Sequence, residues 1–261
     1  MAMTNISHSA DTHSLFIFKG NSLLVEVSEN IVLPTKSIYE KFLEYHVASD
    51  WFAEPEQKYI AMSVEEDAAI PPRYRWMFLR ELIAYRFPET IIASRALALL
   101  NWRKKYRFCG KCGQQLHDAS DETARVCIHC GSIFYPALSP AMIVLVQRED
   151  KILLARHKHR NTDIFTCLAG YIEAGESVEH CVSREVMEEA GITVRDIRYV
   201  GSRSWPFPDQ LMLAFTAHWE SGELSPETSE INELRWFPRD NLPPLPPIGS
   251  VARALITGEK L

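Results

Sequence analysis

The spacing of apolar residues changes several times along this chain. "SLFIFKG" (14–20) and "SLLVEV" (22–27) are short apolar runs that predict strands. "PPRYRWMFLRELIAYR" (71–86) starts with prolines and continues with apolar residues at helical spacing, so it predicts a helix. "TIIASRALALLNWRKKY" (90–106) is rich in helix formers and ends in a basic turn, which suits a second helix and its C-terminus. From residue 137 the pattern turns to strands: "AMIVLVQR" (141–148), "KILLAR" (151–156), "IFTCLAG" (164–170) and "IRYVGS" (197–202). In "LMLAFTAHWE" apolar residues recur at 211, 213, 215, 217 and 219, the alternation of a strand with one buried face. "LRWFPRDNL" (234–242) predicts a last short strand, "PPLPPIGS" a rigid turn, and Ser250 the cap of a final helix, "SVARALI".

One helix breaks the rule that apolar faces stay apolar. In "GYIEAGESVEHCVSREVMEEAGI" (170–192), Ser177 is placed as N-cap and Gly191 as terminator. At about 100° per residue, Val178, Val182, Glu185 and Glu189 fall within roughly 60° of one another, with Glu188 beside them. Glutamates at i, i+3 and i+4 repel, and partly burying them costs several kcal/mol unless cations compensate. Hard divalent ions with oxygen ligands, Mg²⁺ or Mn²⁺, supply that compensation and serve chemistry on phosphates. A metal site for phosphoryl or pyrophosphate cleavage is the reading of these residues.

Composition narrows the setting. With 261 residues, 46% apolar and 24% charged, the chain has room for one large or two modest domains. A net charge of −6 argues against a whole-surface attraction to nucleic acid or anionic lipid, although "NWRKKYRFCGK" (101–111) is locally basic. The longest apolar run is far short of a membrane span, and the N-terminus lacks the pattern of a secretory leader, so a cytoplasmic protein is expected. Cys109, Cys112, Cys127 and Cys130 read C-x2-C-x14-C-x2-C, two thiolate pairs that complete a tetrahedral zinc shell, with Gly110, Gly113 and Gly131 freeing the backbone of the knuckles. A shell filled by four protein ligands leaves no position for water, so one structural zinc per subunit is expected. Cys167 and Cys181 are expected to be buried small apolar residues. Three domains follow: an N-terminal α+β accessory domain (1–104), a zinc ribbon (105–136) and a catalytic domain (137–261).

Gly170, five residues, Glu176, seven residues, then Arg184-Glu185-Val186-x-Glu188-Glu189-x-Gly191-Ile192 resembles the Nudix box at every fixed position. The resemblance implies a Nudix α/β/α sandwich with a mixed sheet, so the fold class is α+β overall. It implies that Glu185, Glu188 and Glu189 bind catalytic divalent ions. Arg184 would hold the acidic cluster in place and Glu176 would support the loop or a metal. Glu230 stands where a further metal carboxylate is supplied from outside the box. Downstream, "SRSWPFPDQ" (202–210) is similar to the S-Q-P-W-P-F-P-x-S motif of NADH pyrophosphatases of the NudC type, departing from it at Arg203, Ser204 and Gln210. That likeness spans about 70–261 and implies substrate contacts from this segment: Arg203, Ser204, Trp205, Pro206, Phe207, Pro208, Asp209 and Gln210. Tyr171 would sandwich a ring against Trp205. Glu122, Tyr135, Ala169, Ala252 and Arg80 are further candidates for substrate contact.

The activity implied is hydrolysis of NAD(H) to AMP and nicotinamide mononucleotide, with removal of NAD caps from RNA 5′ ends, by a homodimer. The alternatives are a Nudix hydrolase preferring ADP-ribose or diadenosine polyphosphates, and a non-catalytic zinc-ribbon RNA-binding protein.

Overall fold

The structure, a computed structural model, describes residues 14–44, 48–54, 58–65, 69–158, 163–226 and 229–261. The segment on which the absence of a leader was expected lies largely outside these. The chain divides into two compact units: residues up to Ala137 with Pro206–Asp209, and Leu138–Trp205 with Gln210–Leu261. No helix among the described residues is long and apolar enough to cross a membrane.

The first unit contains β1 (Ser14–Lys19), β2 (Ser22–Val27), β3 (Ile31–Val32), α1 (Lys36–Glu44), β4 (Ala48–Glu54), β5 (Tyr59–Val64), β6 (Tyr74–Phe78), α2 (Leu79–Ala84) and α3 (Thr90–Lys105). Its sheet runs β3-β2-β1-β5-β4, with β6 beside β2. Alternation sorts the strand residues between two cores. Phe16, Phe18, Leu23, Val25 and Tyr59 meet α2 and α3 through Leu79, Leu82, Leu97 and Leu100. Leu15, Ile17, Leu24, Ile60 and Met62 meet Ile38 and Phe42 of α1.

The helix expected over 71–86 is a helix only from Leu79. Its aromatic-rich first half, "YRWMF", pairs antiparallel with β2 from Glu26↔Tyr74 to Ser22↔Phe78. Aromatic residues suit a pleated surface, and the backbone edge of β2 outweighs the helical spacing.

The zinc ribbon adds β7 (His117–Asp118), β8 (Arg125–Val126) and β9 (Ile133–Phe134). Arg125 ties it to the end of α3, donating to the carbonyls of Arg103 and Tyr106 at 3.2 and 2.9 Å and to that of Leu116 at 2.9 Å. Two of these carbonyls are at the helix C-terminus, where backbone acceptors lack partners. Arg103 also grips Asp118 through two bonds of 2.7 Å.

The second unit contains β10 (Ser139–Arg148), β11 (Lys151–His157), β12 (Leu168–Tyr171), α4 (Val178–Ala190), β13 (Thr193–Trp205), β14 (Gln210–Ser221), β15 (Ile231–Pro238) and α5 (Val251–Thr257). Its mixed sheet runs β13-β14-β10-β11-β15, with β10 parallel to β14 and antiparallel to β11 and β12. Met142, Val144 and Val146 of β10 pack with Cys181, Val182, Val186 and Ala190 of α4. Ile143 and Leu145 pack with Val251, Ala252, Leu255 and Ile256 of α5. Both faces of the central strand are therefore covered, which explains its unbroken apolar run and makes an α/β/α sandwich. Each such side chain contributes roughly 1.5–3 kcal/mol when fully buried. The strand expected to have one buried face, β14, also has two: Phe215 and Ala217 face α4, and Ala214 faces α5.

Candidate active site

Both helix signals in the acidic segment hold. The Ser177 hydroxyl accepts from the His180 N–H at 3.2 Å, and Gly191 ends α4 in the left-handed region at φ 71°. A Cβ on Gly191 would also come within 2.9 Å of the Ser225 Cβ, so glycine is required for shape as well as conformation.

Along α4, Cys181, Val182, Val186, Glu189 and Ala190 are buried, Glu185 is half-buried and Glu188 is exposed. Arg184 organises the carboxylates around it. It donates to both oxygens of Glu176 at 2.7 and 3.1 Å, to Glu185 at 2.9 Å, to Glu188 at 3.0 Å and to the Tyr171 carbonyl at 3.1 Å. Glu176 also accepts from the Glu173 N–H at 2.8 Å and lies 3.1 Å from His180 Nδ1. The Arg184 guanidinium and these partners hold Glu176 well below the usual carboxylate range. Burial pushes Glu185 up, against the pull of Arg184.

Glu189 differs from the others. It is 6% exposed, and among the described residues its Oε2 has no hydrogen-bond partner. Burial first, then the charge of Glu185, push it up to about 8, while the Ala169 backbone opposes the rise. An ordinary carboxyl left in this state needs either a proton or a cation.

Gly170 makes room for the cluster. A Cβ there would fall 2.0 Å from the carboxyl carbon of Glu185, so that carboxylate rests against bare backbone of β12. Glu185, Glu188, Glu189 and Glu230 all line one cavity of about 640 Å³ in the second unit. The unpartnered Glu189 oxygen, the glycine cradle and the all-oxygen donor set fit a hard divalent cation. The carboxylates are not gathered as tightly as metal ligands are: among the described residues, only the four cysteines form such a group.

Tyr171, Trp205, Gln210, Ala169 and Ala252, the sequence's candidates for substrate contact, line the same cavity. Gln210 Nε2 donates to the Tyr171 hydroxyl at 2.5 Å. Arg203 donates to the Gly249 carbonyl, beside Ser250, whose hydroxyl accepts from the Arg253 N–H at 3.2 Å and caps α5. Glu176 is not among the lining residues. Ser204 is exposed. Pro206, Phe207, Pro208 and Asp209 belong to the first unit, where Phe207 packs against the α2–α3 core and Asp209 accepts from Lys105 at 2.7 Å. Also in the first unit, Tyr135 donates to Glu122 at 3.1 Å, and exposed Arg80 lies 5.2 Å from the centre of the Phe78 ring. His157 and Glu173 line the cavity without having been singled out, and Ser250, expected only as a helix cap, lines it too. His157 sits where the β11–β15 register shifts, a bulge that strand periodicity does not reveal.

The four cysteine sulfurs lie within 4.8 Å of one another, with Cys109–Cys130 at 3.6 Å and Cys112–Cys127 at 3.5 Å. A zinc–sulfur distance of about 2.3 Å gives tetrahedral edges of about 3.8 Å, so the set fits a structural zinc. The knuckle turns close with Gly113 N–H to the Cys109 carbonyl and Gly131 N–H to the Cys127 carbonyl, each at 2.8 Å. Gly113 and Gly131 take positive φ; Gly110 does not, so the backbone freedom expected of it is unused.

Residues 137–257 match the model of the NUDIX domain, and residues 104–135 match that of the NADH pyrophosphatase zinc ribbon domain. Two curated relatives, from Salmonella heidelberg (strain SL476) and Salmonella typhi, are each named NAD-capped RNA hydrolase NudC. Each is 47% identical over 165 residues, a span covering 63% of this chain and 64% of the relative. The match thus spans a little less than two thirds of the relatives' own length. A solved NUDIX hydrolase from Nitrosomonas europaea is 26% identical, covering 52% of this chain and 80% of its own, with a TM-score of 0.45. The helix bearing Glu185, Glu188 and Glu189 falls inside the first family match and the four-cysteine unit inside the second, so residues 137–257 form a NUDIX domain and residues 104–135 a zinc ribbon of the NADH pyrophosphatase type.

Proposed function

We propose that this protein hydrolyses the pyrophosphate bridge of NAD(H) and of NAD caps on RNA 5′ ends, a reading supported by its zinc ribbon of the NADH pyrophosphatase type and by Salmonella relatives named NAD-capped RNA hydrolase. The observation that carries this reading is one cavity that holds both a buried, unneutralised carboxylate, Glu189, and an aromatic wall formed by Tyr171 and Trp205. Water adds across the P–O–P bridge and releases AMP and nicotinamide mononucleotide, oxidised or reduced according to the substrate.

In this reading Glu185, Glu188, Glu189 and Glu230 would hold Mg²⁺ or Mn²⁺, which when bound neutralises phosphate oxygens and activates water. Arg184 keeps Glu185 and Glu188 at the cavity edge, and Glu176 fixes Arg184 rather than serving as a ligand, since both its oxygens are occupied. Tyr171 and Trp205 bind a flat ring by stacking. Ala169, Ala252 and Gln210 shape the same wall, and Arg203 supports it from behind through the Gly249 carbonyl beside Ser250. Glu122 and Tyr135 are assigned to substrate as a hydrogen-bonded pair, and Arg80 to a phosphate. Homodimerisation and a cytoplasmic location belong to the same proposal. Of the basic stretch, Arg103 and Lys105 are taken up by Asp118 and Asp209, leaving Lys104, Arg107 and Lys111 as the candidates for contact with an RNA body.

One panel tests it: NADH, NAD⁺, ADP-ribose and a 5′-NAD RNA, each with Mg²⁺ or Mn²⁺, with products resolved by chromatography. Cleavage of NADH and of the capped RNA to nicotinamide mononucleotide is expected. Far faster cleavage of ADP-ribose would remove the NAD(H) assignment and leave a Nudix hydrolase of other preference. RNA retention without any turnover would point to a binding protein.

A further inference from the structure

Two of the three departures from the downstream motif make contacts at the cavity. Arg203 reaches the Gly249 carbonyl next to the cavity-lining Ser250. Gln210 goes further. It opens β14 as the cross-strand partner of Trp205 and the neighbour of Ser139 on β10. Tyr171 ends β12 beside Ala141, two positions along the same β10. The register therefore sets Gln210 between the two aromatic walls, and its Nε2 donates to the Tyr171 hydroxyl at 2.5 Å.

A phenol that accepts one hydrogen bond still has its own proton to donate. The other hydrogen bonds to Tyr171, from Cys181 and Arg184, go to its backbone carbonyl. Among the described residues none accepts the hydroxyl proton, and Tyr171 is 52% exposed. The amide of Gln210 occupies one side of the hydroxyl and leaves the proton for a bound molecule.

We propose that Gln210 is a positioning residue for specificity: by donating to Tyr171 it makes the tyrosine hydroxyl an obligate donor toward the substrate. The site then favours a flat ring bearing a strong carbonyl acceptor, such as a carboxamide, over the same ring without one. This rests on the dinucleotide reading under Proposed function and names the substrate atom that the aromatic wall reads. A serine at 210 has a shorter side chain and a hydroxyl that can itself accept, so it does not impose the same polarity.

Two NAD⁺ analogues isolate the acceptor. The 3-acetylpyridine dinucleotide keeps the carbonyl oxygen, whereas the thionicotinamide dinucleotide replaces it with a weakly accepting sulfur. The wild-type protein should prefer the acetylpyridine analogue in kcat/KM by about five- to tenfold, the worth of one hydrogen bond of this kind. Tyr171→Phe and Gln210→Ala should each close that gap, and the double variant should close it no further. Gln210→Glu keeps the size and the contact but accepts the tyrosine proton instead of donating. It should also close the gap, whereas a purely structural role for Gln210 predicts that it retains it. Melting temperatures establish that each variant is folded. A gap preserved in both Gln210 variants but lost in Tyr171→Phe, or preserved in all of them, overturns the proposal. Should the wild-type protein cleave neither NAD⁺ nor either analogue, the hydrolase reading falls. The inference is then decided by calorimetric dissociation constants for the two analogues, where the same pattern, or its absence, is read directly.

Discussion

Replacing Glu189 with glutamine should stabilise the fold when no divalent ion is supplied, and only at neutral to alkaline pH. Burial raises this carboxyl from an ordinary 4.5 to about 8. A raised folded-state pKa means that the folded protein binds the proton more tightly than the unfolded chain between those two values. Stability from this group is therefore complete below pH 4.5 and is lost as pH rises toward 8. A shift from 4.5 to about 8 sets a ceiling of about 5 kcal/mol at 1.36 kcal/mol per unit. Relaxation and water entry reduce it, and about 2–4 kcal/mol is expected at pH 8. The amide cannot ionise and can still accept from the Ala169 backbone. Urea unfolding of protein dialysed free of Mg²⁺ and Mn²⁺, with zinc retained, should show the Glu189→Gln variant more stable than wild type at pH 8 and equal to it near pH 4.5. The difference between the two proteins cancels titrating groups elsewhere. Adding Mg²⁺ or Mn²⁺ should stabilise the wild type by mass action and leave the variant nearly unchanged. A variant less stable than wild type at pH 8, or a difference independent of pH, would refute the buried-charge reasoning.

Other substitutions test other parts of the site. Gly170→Ala places a methyl 2.0 Å from the Glu185 carboxyl carbon. The flexible carboxylate can move aside, so melting should change little while kcat falls by about 10²-fold, as a misplacement of about 1 Å does. Arg184→Lys keeps the charge but loses the fork that spans Glu176, Glu185 and Glu188, and kcat should fall about 10- to 100-fold with a smaller change in KM. Cys112→Ser should remove the single bound zinc per chain, read by metal analysis, and lower the melting temperature. Gly191→Ala combines a left-handed φ of 71° with a 2.9 Å approach to Ser225, so chemical unfolding should show a loss of about 1–3 kcal/mol.

The parts of the fold visible in the sequence were those fixed by short-range periodicity. Caps at Ser177 and Gly191 and the helical spacing of Val178, Val182, Glu185 and Glu189 define α4 and its inward carboxylate without reference to any tertiary contact. Features set by pairing between distant segments were not visible. "YRWMF" follows helical spacing, yet the edge of β2 recruits it as a strand. Phe207 sits two residues from Trp205, but the turn carries it into the α2–α3 core instead of the cavity. The Gln210–Tyr171 bond depends on β10 pairing with β14 about seventy positions away, and no local pattern encodes that register. Gly170 was legible as part of a motif but not as the backbone against which Glu185 rests.

The uneven treatment of the glutamates follows from helix geometry. Glu188 is four residues after Arg184 and shares its side of α4, while Glu185 is adjacent and within reach of the same guanidinium. Glu189 is five residues on, which at about 100° per residue turns it roughly 140° away from Arg184. No rotamer of a single arginine can serve both sides of the helix. Arg184 therefore neutralises Glu176, Glu185 and Glu188 and leaves Glu189 buried with an unpartnered oxygen. A chain under selection for stability alone would place an apolar residue there, continuing the row of Val178 and Val182. The retained charge makes sense if the missing positive partner comes from outside the chain, so the point at which the protein's own charges fail to balance is where its chemistry is to be sought.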